Sequence, residues 1–167
     1  MIIKFYELKK NIRKDTNFYL LYGPNIGLIE ETLNSTLKTV FSKNIFNYDE
    51  SEILANINQF KEDIFNKSFF ENDKLIIINR CSDKILVIIE EIIDKKISET
   101  VIILKSNVLE KKSKLRNFFE KNKNTIIIPF YEDNHQSLMS IAQNFFKKKK
   151  IKISSQNINY IVEKSKG

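Results

Sequence analysis

The sequence predicts an α/β domain built on a parallel five-stranded sheet flanked by helices, followed by a small all-helical unit. Three observations lead there. Short apolar runs alternate with longer amphipathic stretches as far as Ile128, the order expected when crossover helices join parallel strands. The apolar runs are nearly continuous in β-branched and aromatic residues, as strands buried on both faces are. Beyond Pro129 and the polar run Glu132, Asp133, Asn134, the pattern becomes wholly helical.

Taken in order, strands are predicted at residues 18–22, 45–48, 75–78, 101–104 and 126–128. Helices are predicted at 26–41, 53–65, 83–95 and 109–121, each with apolar residues three and four apart. Asn25, Ser51, Ser82 and Asn107 precede these helices and are suited to accept from their exposed N–H groups. Two further helices follow. Residues 135–147 carry Leu138, Ile141, Ala142 and Phe145 on one predicted inward face, and residues 155–164 carry Ile158 and Ile161. Two helices bury little, so either the unit is incomplete or it leans on the first domain.

A chain of 167 residues, 42% hydrophobic and 29% charged, suffices for one main core. No apolar stretch approaches the ~20 residues of a membrane span, and the start lacks a secretory pattern, so a cytoplasmic protein without membrane contact is expected. The single cysteine, Cys81, has no disulfide or CxxC partner. The net charge of +7 permits contact with nucleic acid without diagnosing it. Lys, Asn, Ile and Phe abound, as AT-rich codons favour, while Arg occurs only at Arg13, Arg80 and Arg116.

After the first strand, Gly23, Pro24, Asn25, Ile26 and Gly27 stand where a phosphate loop would join strand to helix. A working loop next supplies Lys for the phosphates and Ser or Thr for magnesium. Leu28 and Ile29 occupy those places, and no acidic pair ends the third strand, which runs into Asn79, Arg80 and Cys81. The loop reads as degenerate, not expected to bind nucleotide, and its glycines equally suit a tight turn. Lys105, Ser106 and Asn107 end the fourth strand, either as a polar sensor or, through Asn107, as a helix cap.

Several pieces in the same order resemble one family. Tyr19-Leu20-Leu21-Tyr22-Gly23 precedes a helix without the loop lysine; Ser68-Phe69-Phe70 leads into Lys74-Leu75-Ile76-Ile77-Ile78. Val101-Ile102-Ile103-Leu104, Leu109 to Leu115, and Ile128-Pro129-Phe130-Tyr131-Glu132-Asp133 follow. This combination is similar to the delta subunit of the bacterial DNA polymerase III clamp loader. The resemblance implies an AAA+-like α/β domain with a degenerate P-loop over residues 1–131 and a helical lid over 132–167, without the family's C-terminal collar domain. It also implies that the chain binds and opens the sliding clamp (the beta subunit) during DNA replication, joining other clamp-loader subunits in the full-length protein. No cofactor, metal or catalytic residue of its own is implied, although the holoenzyme is a DNA polymerase.

Ser68, Phe69 and Phe70 stand at the family's clamp-binding element. Two adjacent aromatics flanked by polar residues suit a partner's apolar pocket, while thirteen Phe in the chain make packing in its own core an equal reading of the pattern. Lys147, Lys148, Lys149 and Lys150 are candidate DNA contacts, or a solvated helix end. His135 lacks the neighbours of a metal or catalytic site, and Glu30-Glu31 and Glu90-Glu91 read as solvated faces. Two other classes stay open: a P-loop-like NTPase with an unconventional site, and a basic nucleic-acid-binding module.

Overall fold

Successive side chains of a strand point to opposite faces of its sheet, so a strand buried throughout needs cover on both sides. That is the situation of Phe18–Tyr22 (β1), buried at every position. Phe18, Leu20 and Tyr22 enter one apolar core, and Tyr19 and Leu21 enter the other. The computed structural model describes residues 1–12, 16–41, 44–65, 74–95, 97 and 100–165.

The chain divides into two compact units, Met1–Phe130 and Tyr131–Gly167. In the first, β1 is joined by Asn44–Asp49 (β2), Lys74–Asn79 (β3), Thr100–Ser106 (β4) and Thr125–Pro129 (β5). All pairings are parallel, in the order β2-β3-β4-β1-β5. The predicted sheet of five parallel strands flanked by helices is what forms. β2 lies at an edge and is largely exposed, unlike its neighbours.

A short helix, Leu8–Asn11 (α1), precedes β1 and buries Leu8 completely. Ahead of it, Ile2 pairs in parallel with Ile127, extending the sheet beyond β5; the sequence patterns gave no sign of this strand-like start. It covers ladder groups that would otherwise lie open at the sheet edge.

The helix predicted at 26–41 forms as Ile26–Thr32 (α2), a π-helical stretch at Leu33–Leu37 and Lys38–Val40 (α3). Its side chains Ile29, Leu33 and Leu37 cover the face holding Tyr19 and Leu21. The helices Glu50–Ala55 (α4), Ile57–Phe65 (α5), Leu86–Asp94 (α6) and Lys114–Lys121 (α7) cover the opposite face.

Two of the expected caps move. Asp49, not Ser51, caps α4, and its N–H donates to Glu52 Oε2 (2.9 Å). Asn107 caps nothing: α7 begins seven residues later at Lys114, behind Ser113, whose hydroxyl accepts from the Arg116 N–H (3.2 Å). Ser113 is favoured because Asp83 also reaches it, accepting from Ser113 Oγ (2.6 Å) and from the N–H groups of Lys114 and Leu115 (3.0 Å each). Asn25 and Ser82 cap as expected.

In the second unit, His135–Lys148 (α8) and Ser155–Ser165 (α9) pack together. The predicted inward faces hold in part, with Leu138 and Ala142 half-buried. Ile141 and Phe145 are more than half exposed and Ile161 is exposed, while Phe146 is half-buried and Val162 is buried with Ile158. Among the described residues no helix is long and apolar enough to cross a membrane.

Candidate functional site

In an open parallel sheet, ligands gather at the carboxyl ends of strands whose following connections leave to opposite faces. β1 and β4 are such a pair: they lie side by side with Tyr22 opposite Ser106, and their connections run to different faces. A cavity of about 370 Å³ opens there, lined by α2 and by the ends of β2, β3 and β4.

The turn entering this cavity is drawn tight. Gly23 has φ +140°, and a Cβ placed on it would come within 1.9 Å of the Phe130 carbonyl oxygen. Its N–H donates to the Asn107 carbonyl (3.2 Å), while the Phe130 N–H donates to the Tyr22 carbonyl (2.8 Å). Gly23 is therefore a steric necessity of the turn. Gly27 is not, since a Cβ there would meet nothing nearer than Asn25 Oδ1 at 3.9 Å.

A phosphate is held by loop and helix N–H groups aimed at it. Here the Leu28 N–H donates to Asn25 Oδ1 (3.1 Å), the Ile26 N–H to the Pro24 carbonyl (2.9 Å), and Pro24 has no N–H. Leu28 and Ile29, at the places of loop lysine and hydroxyl, turn to the core: Ile29 is 1% exposed and Leu28 packs against the same cluster.

The polar side chains of the cavity are matched among themselves. Lys105, at the end of β4, forms an ion pair with Glu30 of α2, and Arg80 pairs with Asp49 at the end of β2. Arg80 adopts φ +56°, which bulges the chain after β3; the following Cys81 N–H rejoins β4 by donating to the Lys105 carbonyl (2.8 Å). Ser106 points inward and donates to the Cys81 carbonyl (2.6 Å), so it packs the sheet instead of presenting a hydroxyl to the cavity. The Glu50 carboxylate is buried, accepting from the N–H (2.7 Å) and hydroxyl of Ser82. Burial pushes the Cys81 thiol well up from its ordinary range, and the charge of Glu50 adds to the effect. The buried Glu50 and the Arg80 bulge had no signal in the sequence.

None of the remaining sequence-derived sites is among the residues that line the cavity. Ser68, Phe69 and Phe70 lie outside the described residues. The flanking residues are well anchored. Lys74 Nζ donates to the Asp63 carbonyl (2.8 Å), joining the start of β3 to α5. Lys61 and Lys95 both pair with Glu91 of α6, and Lys95 sits 4.1 Å from the Phe65 ring centre. His135 opens α8 in an exposed position, and Glu31 is exposed on α2.

Lys147 to Lys150 are exposed at the end of α8. The Ile151 N–H donates to the Phe146 carbonyl (2.9 Å) and the Lys150 N–H to that of Lys147 (3.1 Å), with Lys150 at φ +56°. This is a Schellman-type helix end, in which cations also complement the helix dipole. Among the described residues no group of His, Cys, Asp and Glu is placed to hold a metal ion.

The strand order, the tight first turn and the helical second unit can now be compared with known proteins. No protein-family model and no curated protein sequence matches this chain. Among solved structures, the Bacillus subtilis DNA clamp loader delta protein (YqeN) superposes with a TM-score of 0.63 at 20% identity, over 95% of this chain and 50% of that one. The chain shares the clamp loader delta fold. It spans about half the length of that delta protein.

Two other AAA+-type proteins match more distantly than delta in identity. Thermotoga maritima RuvB gives a TM-score of 0.58 at 16% identity, over 95% of this chain and 52% of that one. Domain III of the Thermotoga maritima replication initiation protein DnaA gives 0.50 at 11%, over 95% and 72%. The frame is thus common to clamp-loader delta and other AAA+ proteins.

Proposed function

We propose that this chain is the AAA+-like and lid portion of a cytoplasmic, delta-type clamp-loader subunit that binds and opens a DNA polymerase sliding clamp without hydrolysing ATP. The observation that carries the reading is a delta-type fold in which the places of the phosphate-loop lysine and hydroxyl are taken by Leu28 and by Ile29 in the core, with Lys105 already paired to Glu30. Such a subunit acts by contact. Its chemistry lies in what it binds, and no step requires a cofactor.

The contact is assigned to Ser68, Phe69 and Phe70, which connect α5 to β3. Each Phe withdrawn into an apolar pocket would contribute ~1.5–3 kcal/mol. The elements on either side of that segment, α5 and β3, are joined by Lys74 and Asp63, and α5 is joined to α6 by Lys61 and Glu91. Binding opens a ring only to the extent that the open clamp is bound more tightly than the closed one. The other loader subunits would supply ATP-driven movement, and Lys147 to Lys150 are candidate contacts for DNA held beside the clamp.

Calorimetry of this chain with the sliding clamp of its own source tests the reading. Binding that disappears in the double variant Phe69→Ala, Phe70→Ala, while circular dichroism shows the variant folded, is the expected result. A folded wild-type chain that does not bind the clamp would overturn it.

A further inference from the structure

α6 and α7 lie side by side over the same sheet face, and the surface between them is a groove of about 680 Å³ on the first unit. Its floor is apolar: Leu86 and Phe118 are each only half-buried, although both touch the core beneath. Lys114 and Lys121 rise from α7 at its two ends, both exposed, and Glu90 stands on the α6 wall. Seven residues of helix separate the two lysines by ~10 Å along one side.

Apart from Glu90, the acids around the groove are already engaged. Glu91 holds Lys61 and Lys95, Glu110 holds Lys112, Glu120 holds Arg116, and Asp83 accepts from the first N–H groups of α7. Among the described residues Lys121 forms no ion pair with a carboxylate, and Lys114 forms none at contact distance, although its charge acts on the nearby Asp83 carboxylate. An apolar floor with a cation at each end is complementary to an apolar residue between two carboxylates.

We propose that the groove between α6 and α7 docks a protein segment that lays a bulky apolar side chain on Leu86 and Phe118 and sets two carboxylates, ~10 Å apart, against Lys114 and Lys121. That spacing matches acids seven residues apart on a helix, with the apolar anchor three or four residues after the first. Glu90 disfavours a third carboxylate on the α6 side, giving the groove an orientation. Neither Phe69 nor Phe70 is among the residues that line this surface.

The test uses the whole chain and a fluorescein-labelled peptide blocked at both ends, Glu-Ala-Ala-Leu-Leu-Ala-Ala-Glu, followed by fluorescence anisotropy. Lys121→Glu should weaken binding about fivefold, Lys114→Gln should weaken it further, and Glu90→Gln should strengthen it. Replacing both peptide glutamates by glutamine, or both leucines by alanine, should weaken binding as well. The Phe69→Ala, Phe70→Ala variant should bind the peptide as the wild type does, which separates this inference from the clamp reading.

Absence of binding by the folded wild type overturns the proposal. So does an equal loss on Lys152→Glu, which lies outside the groove and would reveal diffuse attraction. A single-stranded oligonucleotide that binds more tightly than the peptide, and loses affinity with the same lysines, would make this a nucleic-acid surface instead. Lys121→Gln provides a milder variant should the charge reversal disturb folding.

Discussion

The Gly23 α-carbon rests against the Phe130 carbonyl so closely that any Cβ at position 23 would approach that oxygen to 1.9 Å. The first strand-to-helix turn and the end of the sheet are therefore one packed feature. Gly23→Ala must displace backbone and adopt an unfavourable φ, and it should lower unfolding stability by about 3 kcal/mol. Urea denaturation measures this; a loss below about 1 kcal/mol would show that the contact relaxes easily. A binding defect in any Gly23 variant would then report damage to the fold before it reported a nucleotide site.

Grafting the missing loop chemistry should fail. Leu28→Lys with Ile29→Thr restores the residue types of a phosphate loop, yet Asn25 already takes the Leu28 N–H and Ile29 lies in the core. We expect no ATP binding by equilibrium dialysis and a stability loss of about 2 kcal/mol from burying the threonine hydroxyl. ATP binding by the graft would mean that the crevice needs only two side chains to work.

Asp83, in the 3-10 turn that leads into α6, is bonded to the start of α7 and should make stability acid-sensitive. Its carboxyl is held below the usual carboxylate range, chiefly by the Ser113 hydroxyl, against an opposing effect of burial, and then by the Leu115 and Lys114 N–H groups and the Lys114 charge. The ionised form is the one favoured by folding. Its contribution is complete above the unfolded value near pH ~4 and is lost as pH falls through the lower folded value. Asp83→Asn should flatten the fall in stability over that acid range, as followed by denaturation at a series of pH values.

Cys81 should be inert in the folded protein. Its thiol is buried and its ionisation is disfavoured by burial and by Glu50, so a disulfide reagent at pH 8 should modify it only as fast as the protein opens. Immediate modification in the native state would show that the carboxyl edge near β3 opens readily. Because it is the only cysteine, the readout is unambiguous.

Lys150 occupies the left-handed position that ends α8, which glycine adopts without a Cβ penalty. Lys150→Gly should stabilise that helix end by about 0.5–1 kcal/mol, seen as slower hydrogen exchange in the last turn of α8. Unchanged or faster exchange would mean that the lysine charge at the helix terminus outweighs the backbone relief.

The five parallel strands were legible in local sequence, because buried strands need unbroken apolar runs such as Leu75 to Ile78 and Val101 to Leu104. The sequence by itself also determined that Leu28 and Ile29 carry neither charge nor hydroxyl. Caps were legible where one residue satisfies the helix locally, as at Asn25 and Ser82. Other features depend on residues distant in the chain. Asp83, thirty residues away, fixed the start of α7 at Ser113 in place of Asn107, and Phe130 made Gly23 obligatory while leaving Gly27 unconstrained.

In the helical unit, the partner helix chose Phe146 and Val162 over Phe145 and Ile161. A sequence containing adjacent apolar residues does not distinguish faces about 100° apart until another surface covers one of them. The ion pair between Glu30 and Lys105 likewise joins residues that the sequence could read only as a solvated glutamate and a strand-end lysine. Their proximity, and with it the closed chemistry of the crevice, follows from the crossing of α2 beside β4, because ion pairing depends on distance in space and the chain records only order.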